Sequence, residues 1–408
     1  MGDSSITFSK AMTAFKNGEY KQSYVLLHEL AEQYEHVPIL EYNAETLLYM
    51  YVSYETITSI VGKKNAYIYK LMDEGTCSLI SSELLNHIKF ILCHYYLINT
   101  QYLKAFPYMK YLQVVTGPNV SPETMSYFNL NDENKTLLIY NSGGIGDIIM
   151  FSRFIWKISE SQSKNKIIYV VNDEIHWIFN EAFSINKLSN LKLVSFSHFK
   201  QHPIPFDYHT NITLLFGHLK LDYNEIFTKY YLEHVSGNPL PIYKYIKPDK
   251  KNIVINWSGN KLNIMEKFNR SIPLANFIPI INKYQHVIHF MSIQKSLSDD
   301  ESLILKATNV SNYGPSLDTN ENVYKDTLTL LKHVDLVITT DTSLVHVAGT
   351  MNIPCWCILT IGCEWRWRHP CNSYWYPNVK TFRQTEVCSW TNVISELMAS
   401  IDLLIQQI

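Results

Sequence analysis

From residue 136 onward, short apolar runs rich in β-branched residues alternate with segments of helical periodicity. Parallel strands need crossover helices that cover both faces of their sheet, so this alternation predicts βα units and parallel sheets. The chain is therefore predicted to be an α/β protein over most of its length. Seven strands are predicted in this way, at residues 137–140, 167–171, 191–194, 253–256, 287–290, 334–339 and 355–359.

A break in this pattern divides the α/β part into two halves. Residues 236–251 contain a glycine, three prolines and several lysines, and they carry no sustained apolar pattern. We therefore predict two Rossmann-like lobes with a cleft between them, at residues 136–245 and 246–388. Residues 389–408 are predicted to form a closing helix with one apolar stripe, made of Val393, Leu397, Ile401, Leu404 and Ile405.

Residues 1–116 differ from the rest because they show helical periodicity and no strand-like alternation. Two helical hairpins of similar layout, at about 11–38 and 87–112, resemble tetratricopeptide repeats, with a degenerate pair at 41–78 between them. An ordinary helical bundle would explain the same spacing. Such a domain suggests a protein partner or self-association. Residues 117–135, rich in proline and asparagine, are predicted to be a linker.

Charge and composition exclude several classes of protein. The chain has 35 Lys plus Arg against 37 Asp plus Glu, so it lacks the excess of positive charge that is typical of nucleic-acid-binding proteins. No apolar stretch reaches the ~20 residues that a bilayer requires, and the first ten residues do not resemble a signal peptide. Seven cysteines without a tight framework suit a reducing compartment. We therefore expect a cytoplasmic protein without a transmembrane segment.

A glycine-rich turn follows the first predicted strand. It contains Gly144, Gly146 and Asp147, and a helix is predicted over 148–158. The free N–H groups at such a helix start favour an anion, and Asp147 could serve as a capping carboxylate or as a general base. A dinucleotide fingerprint would need a third glycine where the chain has Ile149.

Polar and aromatic residues follow the first predicted strand of the second lobe. Trp257, Gly259 and Asn260 come directly after it, and Arg270 comes about ten residues later. An aromatic ring, a glycine and a guanidinium at the carboxyl end of a strand suit a sugar or phosphate ligand. A salt-bridged surface arginine would fit the same sequence.

A second such turn follows the strand predicted at 334–339. Asp341, Thr342 and Ser343 are good capping residues, and capping alone would explain them. His346 lies one turn later on the same helix face. Its imidazole could join the hydroxyls and free N–H groups around a pyrophosphate, or it could simply pack against the lobe.

These segments occur in the order and approximate spacing of a known family. The chain resembles the bacterial tetratricopeptide glycosyltransferase-like proteins related to glycosyltransferase family 9, the heptosyltransferases. The resemblance covers residues 136 to about 393. The segments that carry it are 144–147, 151–154, 257–260, 270–274, 292–294, 335–349, 365–367, 375–377 and 382–384.

The resemblance implies a GT-B fold, whose two lobes face each other across a nucleotide-sugar cleft without the Asp-x-Asp metal site of the other large transferase fold. It implies inverting transfer with Asp147 as the base, no metal and no cofactor, and a protein or glycan acceptor gripped by the first lobe. Residues 207–215 and 223–251 resemble the family poorly, so the resemblance does not imply which acceptor the first lobe binds. The implied donor-binding residues are Gly144, Gly146, Trp257, Gly259, Asn260, Arg270, Ser292, Gln294, Asp341, Thr342, Ser343 and His346.

Three alternatives remain open at this stage. Cysteines crowd the second lobe at 355, 357, 363, 371 and 388, but without the paired C-x-x-C spacing of a zinc site. A catalytically inactive scaffold would use the helical repeats and not the lobes. An oxidoreductase would bind a dinucleotide at Gly144 and Gly146 with Asp173 as the ribose acceptor, although the third glycine is missing.

Overall fold

The computed structural model describes residues 132–406 apart from 142, 187, 262–265, 267–269, 361–362, 368–373 and 387–388. It also describes residues 100–112 and isolated positions from 10 to 97. The hairpins predicted within residues 1–116 and the linker predicted at 117–135 lie largely outside these residues, so both stay predictions. Within the described part of the chain, no helix combines the length and the hydropathy that a bilayer crossing requires.

The first lobe is built on a four-stranded sheet with the order β3-β2-β1-β4, in which every neighbouring pair is parallel. Its strands are β1 (Thr136–Tyr140), β2 (Lys166–Val171), β3 (Leu191–Ser195) and β4 (Tyr208–Asn211). A short helix α1 (Tyr102–Ala105) precedes the lobe, whose own helices are α2 (Ile145–Ser161), α3 (Asp173–Asn186), α4 (Phe196–Gln201) and α5 (Leu215–His218). Three 3₁₀ turns lie at Phe106–Leu112, Ile212–Leu214 and Tyr223–Glu225.

The second lobe has a six-stranded parallel sheet with the order β10-β9-β8-β5-β6-β7. Its strands are β5 (Lys251–Asn256), β6 (Ile288–Ser292), β7 (Ser311–Asn312), β8 (Leu336–Thr340), β9 (Cys355–Leu359) and β10 (Val379–Arg383). Its helices are α6 (Ile278–Tyr284), α7 (Asp299–Thr308), α8 (Lys325–Leu331), α9 (Ser343–Thr350) and α10 (Thr391–Gln406). Its 3₁₀ turns lie at Ile242–Lys244, Leu274–Phe277, Gly314–Ser316 and Trp365–Trp367.

Both sheets bury both faces, as parallel sheets must. In β1, Leu137 and Ile139 belong to one apolar cluster, while Leu138 and Tyr140 belong to another on the opposite face. Side chains alternate between the faces of a strand, so a continuous apolar run fills two cores at once. The predicted α/β class with two Rossmann-like lobes is confirmed for the described residues.

The largest apolar cluster runs through both lobes without interruption. It contains Ile139 and Phe151 from the first lobe together with Val337 and Val347 from the second. Helices α2 and α9 bring the lobes together, because each starts at the carboxyl end of a strand that faces the other lobe. The two helix starts therefore meet at the junction of the lobes.

The segment just before the first lobe is part of this junction. The Tyr102 side chain is fully buried, and its hydroxyl accepts a hydrogen bond from Trp375 Nε1 at 3.2 Å. Its ring centroid lies 5.3 Å from that of Tyr223 in the first lobe and 5.4 Å from that of Trp365 in the second. The Phe106 ring fills the space where Gly217 has no side chain. Residues 100–112 are therefore packed into both lobes.

Helix α10 confirms the predicted apolar stripe. Here Val393, Leu397 and Ile401 are buried in the outer core of the second lobe. Tyr284 on α6 donates a hydrogen bond to the Met398 carbonyl at 2.9 Å. The stripe thus finds its apolar partner on its own lobe.

Candidate active site at the junction of the lobes

Asp147 occupies the third position of α2 and folds back on the turn before it. Its Oδ2 accepts a hydrogen bond from the Gly144 N–H at 3.1 Å, which caps the first turn of the helix. Gly143 has φ of +89°, and a Cβ there would lie 2.7 Å from Asp147 Oδ2. The glycines of this turn therefore make room for the carboxylate.

The other oxygen of Asp147 is paired with an arginine of the second lobe. Arg366 Nη2 donates to Asp147 Oδ1 at 2.9 Å, and Glu364 Oε2 lies 3.9 Å from the same nitrogen. The side chain of Asp147 is 30% exposed and that of Arg366 is 11% exposed. Arg366 belongs to the 365–367 segment of the resemblance, but the sequence offers no sign that it pairs with a residue 219 positions away.

Helix α9 starts on the opposite side of the junction. Thr342 is its N-cap, and the Thr342 hydroxyl accepts from the Leu344 N–H at 3.3 Å. The Ser343 hydroxyl is hydrogen-bonded to the Tyr324 hydroxyl. Burial raises the pKa of the preceding Asp341, and the guanidinium of Arg366 partly opposes that shift. This turn therefore carries capping residues in the predicted places.

His346 is buried between the two helix starts. Its Nδ1 is hydrogen-bonded to the Tyr376 hydroxyl at 2.9 Å, and its ring stacks on that of Trp367 with centroids 5.8 Å apart. Burial holds its pKa well below the usual range, and Arg366 and Arg153 act in the same direction. The imidazole is therefore neutral at neutral pH.

Gly146 lets α2 and α9 come into direct contact. A Cβ at this position would lie 2.8 Å from His346 Cδ2 and 3.2 Å from Ser343 Cα. Gly144 differs, because a Cβ there would have Asp147 Oδ2 as its nearest neighbour at 3.9 Å. The second glycine of the motif thus serves the contact between the lobes.

Beside this contact, a cavity of about 520 Å³ opens at the carboxyl ends of the second lobe's strands. Its volume falls in the range of small-molecule sites, and the α9 start forms part of its wall. Five of the predicted residues line it: Gly259, Asn260, Gln294, Thr342 and Ser343. The sequence analysis missed Lys261, Lys295, Asp318 and Tyr324, which also line it.

One hydroxyl in the cavity wall lacks a hydrogen-bond partner among the described residues. Ser258 is 6% exposed, and its Oγ is buried without a partner. A buried polar atom left unsatisfied costs about 1–3 kcal/mol, so such atoms often mark a place where a ligand or water binds. Lys295 is different, because its Nζ donates to the Leu317 carbonyl at 2.6 Å.

The other predicted residues lie outside the cavity wall. Trp257 is buried in the outer core, and its Nε1 donates to Glu301 Oε1 at 2.6 Å. Ser292 Oγ accepts from the Gln294 N–H at 3.1 Å and so supports a residue that does line the cavity. Arg270 Nε donates to Glu266 Oε1 at 3.1 Å, and its guanidinium fills the space beside Gly259. The remaining ones are Gly144, Gly146, Asp147, Asp341 and His346, at the junction itself.

Two of the alternatives can be compared with the structure. Among the residues that the structure describes, no three His, Cys, Asp or Glu side chains come together as a metal site. Cys355, Cys357 and Cys363 are buried free thiols, and burial raises the pKa of Cys355. Asp173, the ribose acceptor of the oxidoreductase alternative, accepts from the N–H and the hydroxyl of Ser197, the latter at 2.9 Å.

The sequence matches no protein-family model, and a search of curated proteins finds no match. Solved structures similar to this chain include several glycosyltransferases and a putative UDP-N-acetylglucosamine 2-epimerase from Listeria monocytogenes. A family 9 glycosyltransferase from Veillonella parvula is 10% identical, with a TM-score of 0.36 over 66% of this chain and 90% of that one. The E. coli heptosyltransferase WaaC with ADP-2-deoxy-2-fluoro heptose is 10% identical, with a TM-score of 0.42 over 65% of this chain and 99% of that one.

A third similar structure is the iron-containing dodecameric glycosyltransferase TibC from enterotoxigenic E. coli. It is 10% identical to this chain, with a TM-score of 0.42 over 66% of this chain and 77% of that one.

Proposed function

We propose that this protein is a cytoplasmic glycosyltransferase, which transfers a sugar from a nucleotide-sugar donor to a protein or glycan acceptor by inverting chemistry without a metal. The observation that carries this proposal is the junction itself. There α2 presents Asp147 from the first lobe, and α9 opens its N-terminus into a cavity of the second. A carboxylate beside an anion-binding helix start is what such a transfer requires.

The cavity is the proposed donor site. The N-terminus of α9 and the lysines 261 and 295 favour the negative charge of a diphosphate. The unsatisfied Ser258 hydroxyl and the amide of Gln294 offer hydrogen bonds to the ribose or the base. Ile293 and Leu344 supply apolar wall for the remainder of the nucleoside.

Asp147 is the proposed base. The acceptor's hydroxyl or amide nitrogen would attack the anomeric carbon and form the new glycosidic bond, while its proton passes to the Asp147 carboxylate. The bond from that carbon to the donor oxygen would break, and its electron pair would leave with the nucleoside diphosphate. Asp147 is also a helix cap, and the two roles are compatible because a carboxylate has two oxygens.

Negative charge that develops on the departing diphosphate needs stabilisation. The N–H groups at the start of α9 are fixed by the fold and cost no reorganisation, so they can supply this without a metal ion. His346, neutral and held by Tyr376, would supply a hydrogen bond and no full charge. The helical region before the lobes is proposed to bind a protein partner or a second copy of the chain.

Calorimetry with UDP, GDP, ADP and NAD is the test of this proposal. We expect one nucleoside diphosphate to bind the full chain, with an affinity that EDTA leaves unchanged, and NAD not to bind. Binding of NAD alone would favour the oxidoreductase, and the absence of any binding would favour the inactive scaffold. A requirement for Mn²⁺ or Mg²⁺ in turnover would contradict the metal-independent mechanism.

Substitutions at two serines test where in the second lobe the nucleotide binds. Ser258→Ala removes a hydroxyl without a partner, so we expect unchanged or slightly higher stability and a loss of about 0.5–1.5 kcal/mol in nucleotide binding. Ser292→Ala removes a hydroxyl that already accepts from Gln294, so it should lower the melting temperature instead. Equal effects of the two substitutions on nucleotide affinity would place the nucleotide elsewhere.

A further inference from the structure

The ion pair between Asp147 and Arg366 conflicts with the proposed role of Asp147. One carboxylate oxygen accepts from the Gly144 N–H, and the other accepts from Arg366 Nη2 at 2.9 Å. A base must offer an oxygen to the acceptor's proton within hydrogen-bond reach. Each oxygen keeps a second lone pair, but the guanidinium already holds Oδ1, the oxygen that the cap leaves over. Oδ1 is therefore better placed to receive a proton when Arg366 has moved away.

Arg366 is the partner that can move. The Gly144 N–H is backbone and is fixed at the start of α2, whereas Arg366 lies at the end of a flexible side chain. The Asp147 side chain is 30% exposed, so water can replace a departing guanidinium at the carboxylate. The Arg366 side chain is only 11% exposed, so the guanidinium itself needs a new anionic partner when it leaves.

Arg366 is also close to the start of α9. It directly precedes Trp367, whose ring stacks on that of His346 in α9. Its partner Asp147 directly follows Gly146, which lies against Ser343 at the first position of α9, where a diphosphate is proposed to bind. A diphosphate carries more charge than a carboxylate and offers oxygens in the forked geometry that arginine prefers.

We infer that Arg366 has two alternative anionic partners, Asp147 and the diphosphate of a bound nucleotide, and that nucleotide binding transfers the guanidinium from the first to the second. This inference rests on the proposed function and assigns Arg366 a double role. It stabilises the leaving diphosphate, and its departure frees Asp147 to accept the acceptor's proton. Donor binding thus releases Oδ1 of the base from its ion pair.

A four-protein calorimetric cycle with the nucleoside diphosphate that binds best among UDP, GDP and ADP tests this inference. The proteins are the full chain, Asp147→Asn, Arg366→Gln and the double variant, each checked for folding by its melting curve. Asp147→Asn should tighten binding about two- to fivefold, because the pair no longer has to be broken. Arg366→Gln should weaken binding about ten- to a hundredfold, the range for a lost charged hydrogen bond.

The double variant is the decisive protein. Exchange of partners predicts that Asp147→Asn has no effect once Arg366 is absent, because no pair remains to be broken. If the gain came only from removing a negative charge near the diphosphate, it would persist in the double variant, and the inference would fail. Arg270→Gln is the matched control, since this arginine pairs with Glu266 and its effect should add to that of Asp147→Asn.

If Arg366→Gln does not fold, Asp147→Asn alone still tests the exchange of partners. Unchanged or weaker binding of the nucleoside diphosphate to that variant contradicts the exchange. Absence of binding to the unmodified chain is a separate result, which overturns the proposed function together with this inference. Binding to the unmodified chain with additive effects in the cycle overturns the exchange alone.

Discussion

The two sides of the junction are held in place by different forces. On the first lobe, Asp147 is fixed by one backbone N–H and by an ion pair with a partly exposed arginine. On the second lobe, His346 is buried, stacked on Trp367 and bonded to the hydroxyl of Tyr376. Charged contacts open to water can be exchanged at little cost, while buried neutral ones are fixed by packing. The contacts of His346 are therefore fixed by packing, whereas the contacts of Asp147 are the ones that can be exchanged.

The largest expected effect is on turnover, and it comes from a substitution of Asp147, whose contacts can be exchanged. Asp147→Asn keeps an oxygen for the Gly144 N–H but cannot accept a proton, so turnover should fall about 10²–10⁴-fold. The free energy of unfolding should change by only about 0–1 kcal/mol, the value of a partly exposed ion pair. Release of nucleoside diphosphate from the donor sugar nucleotide measures the turnover.

Asp173→Asn is the control for that substitution, because Asp173 also stands at the start of a helix but is bonded to Ser197. It should leave turnover unchanged. An Asp147→Asn protein that is unstable but fully active per folded molecule would reduce Asp147 to a cap.

The next effect concerns the contact between the lobes. Gly146→Ala would bring a methyl group 2.8 Å from His346 Cδ2, and neither that buried ring nor the Ser343 backbone can move easily. Overpacking of this kind costs about 1–3 kcal/mol, which thermal or denaturant unfolding would detect. Gly144→Ala meets nothing closer than 3.9 Å and should cost less than about 1 kcal/mol, the loss from a poorer N-cap. Equal costs would mean that the helix starts do not touch.

The smallest expected effect is on the pH dependence of stability, and it comes from His346, whose contacts are fixed by packing. Below about pH 6.5 the unfolded chain binds a proton on His346 that the folded chain does not, because burial lowers the folded pKa. Acid therefore favours unfolding by up to about 1.4 kcal/mol per pH unit, whereas above that pH both states are neutral and the contribution is flat. His346→Gln should reduce the slope of the unfolding free energy between pH 6.5 and 5.

Tyr376→Phe is the matched control for this slope, since it removes the hydrogen bond of His346 and keeps the titrating group. It should lower stability and keep the slope. Some slope will remain in both variants, because burial also lowers the pKa of His218 to about 4. A slope that His346→Gln leaves unchanged would contradict the neutral imidazole.

The sequence predicted the strands that are buried on both faces. β1, β2 and β9 are continuous apolar runs, and such runs are visible without any knowledge of tertiary contacts. The strands that were missed are β4, β7 and β10. β4 reads Tyr-His-Thr-Asn and β7 has two residues, so neither carries enough apolar side chains to be distinguished from a loop.

The candidate site was predictable where neighbours in sequence form it. The start of α9 follows its strand directly, so Thr342 and Ser343 could be placed from local pattern alone. Arg366 meets a residue 219 positions away, and that contact depends on how the two lobes pack. Tyr324 reaches the cavity from a segment of the second lobe that the sequence analysis did not single out. Trp257 follows a strand that leads to the cavity, but its side chain lies in the outer core, and its place there depends on packing that the local pattern does not show.

Tyr102 has a consequence for where this chain can be divided. A fragment that starts at residue 136 would leave an open socket lined by Phe216, Tyr223, Trp365 and Trp375, and a Tyr ring fills about 150–250 Å² of such surface. An exposed aromatic socket of this kind promotes aggregation. Residues 100–112 and the two lobes thus form one packed unit. A fragment that is to fold should include these residues, although the sequence pattern of a βα protein begins only at residue 136.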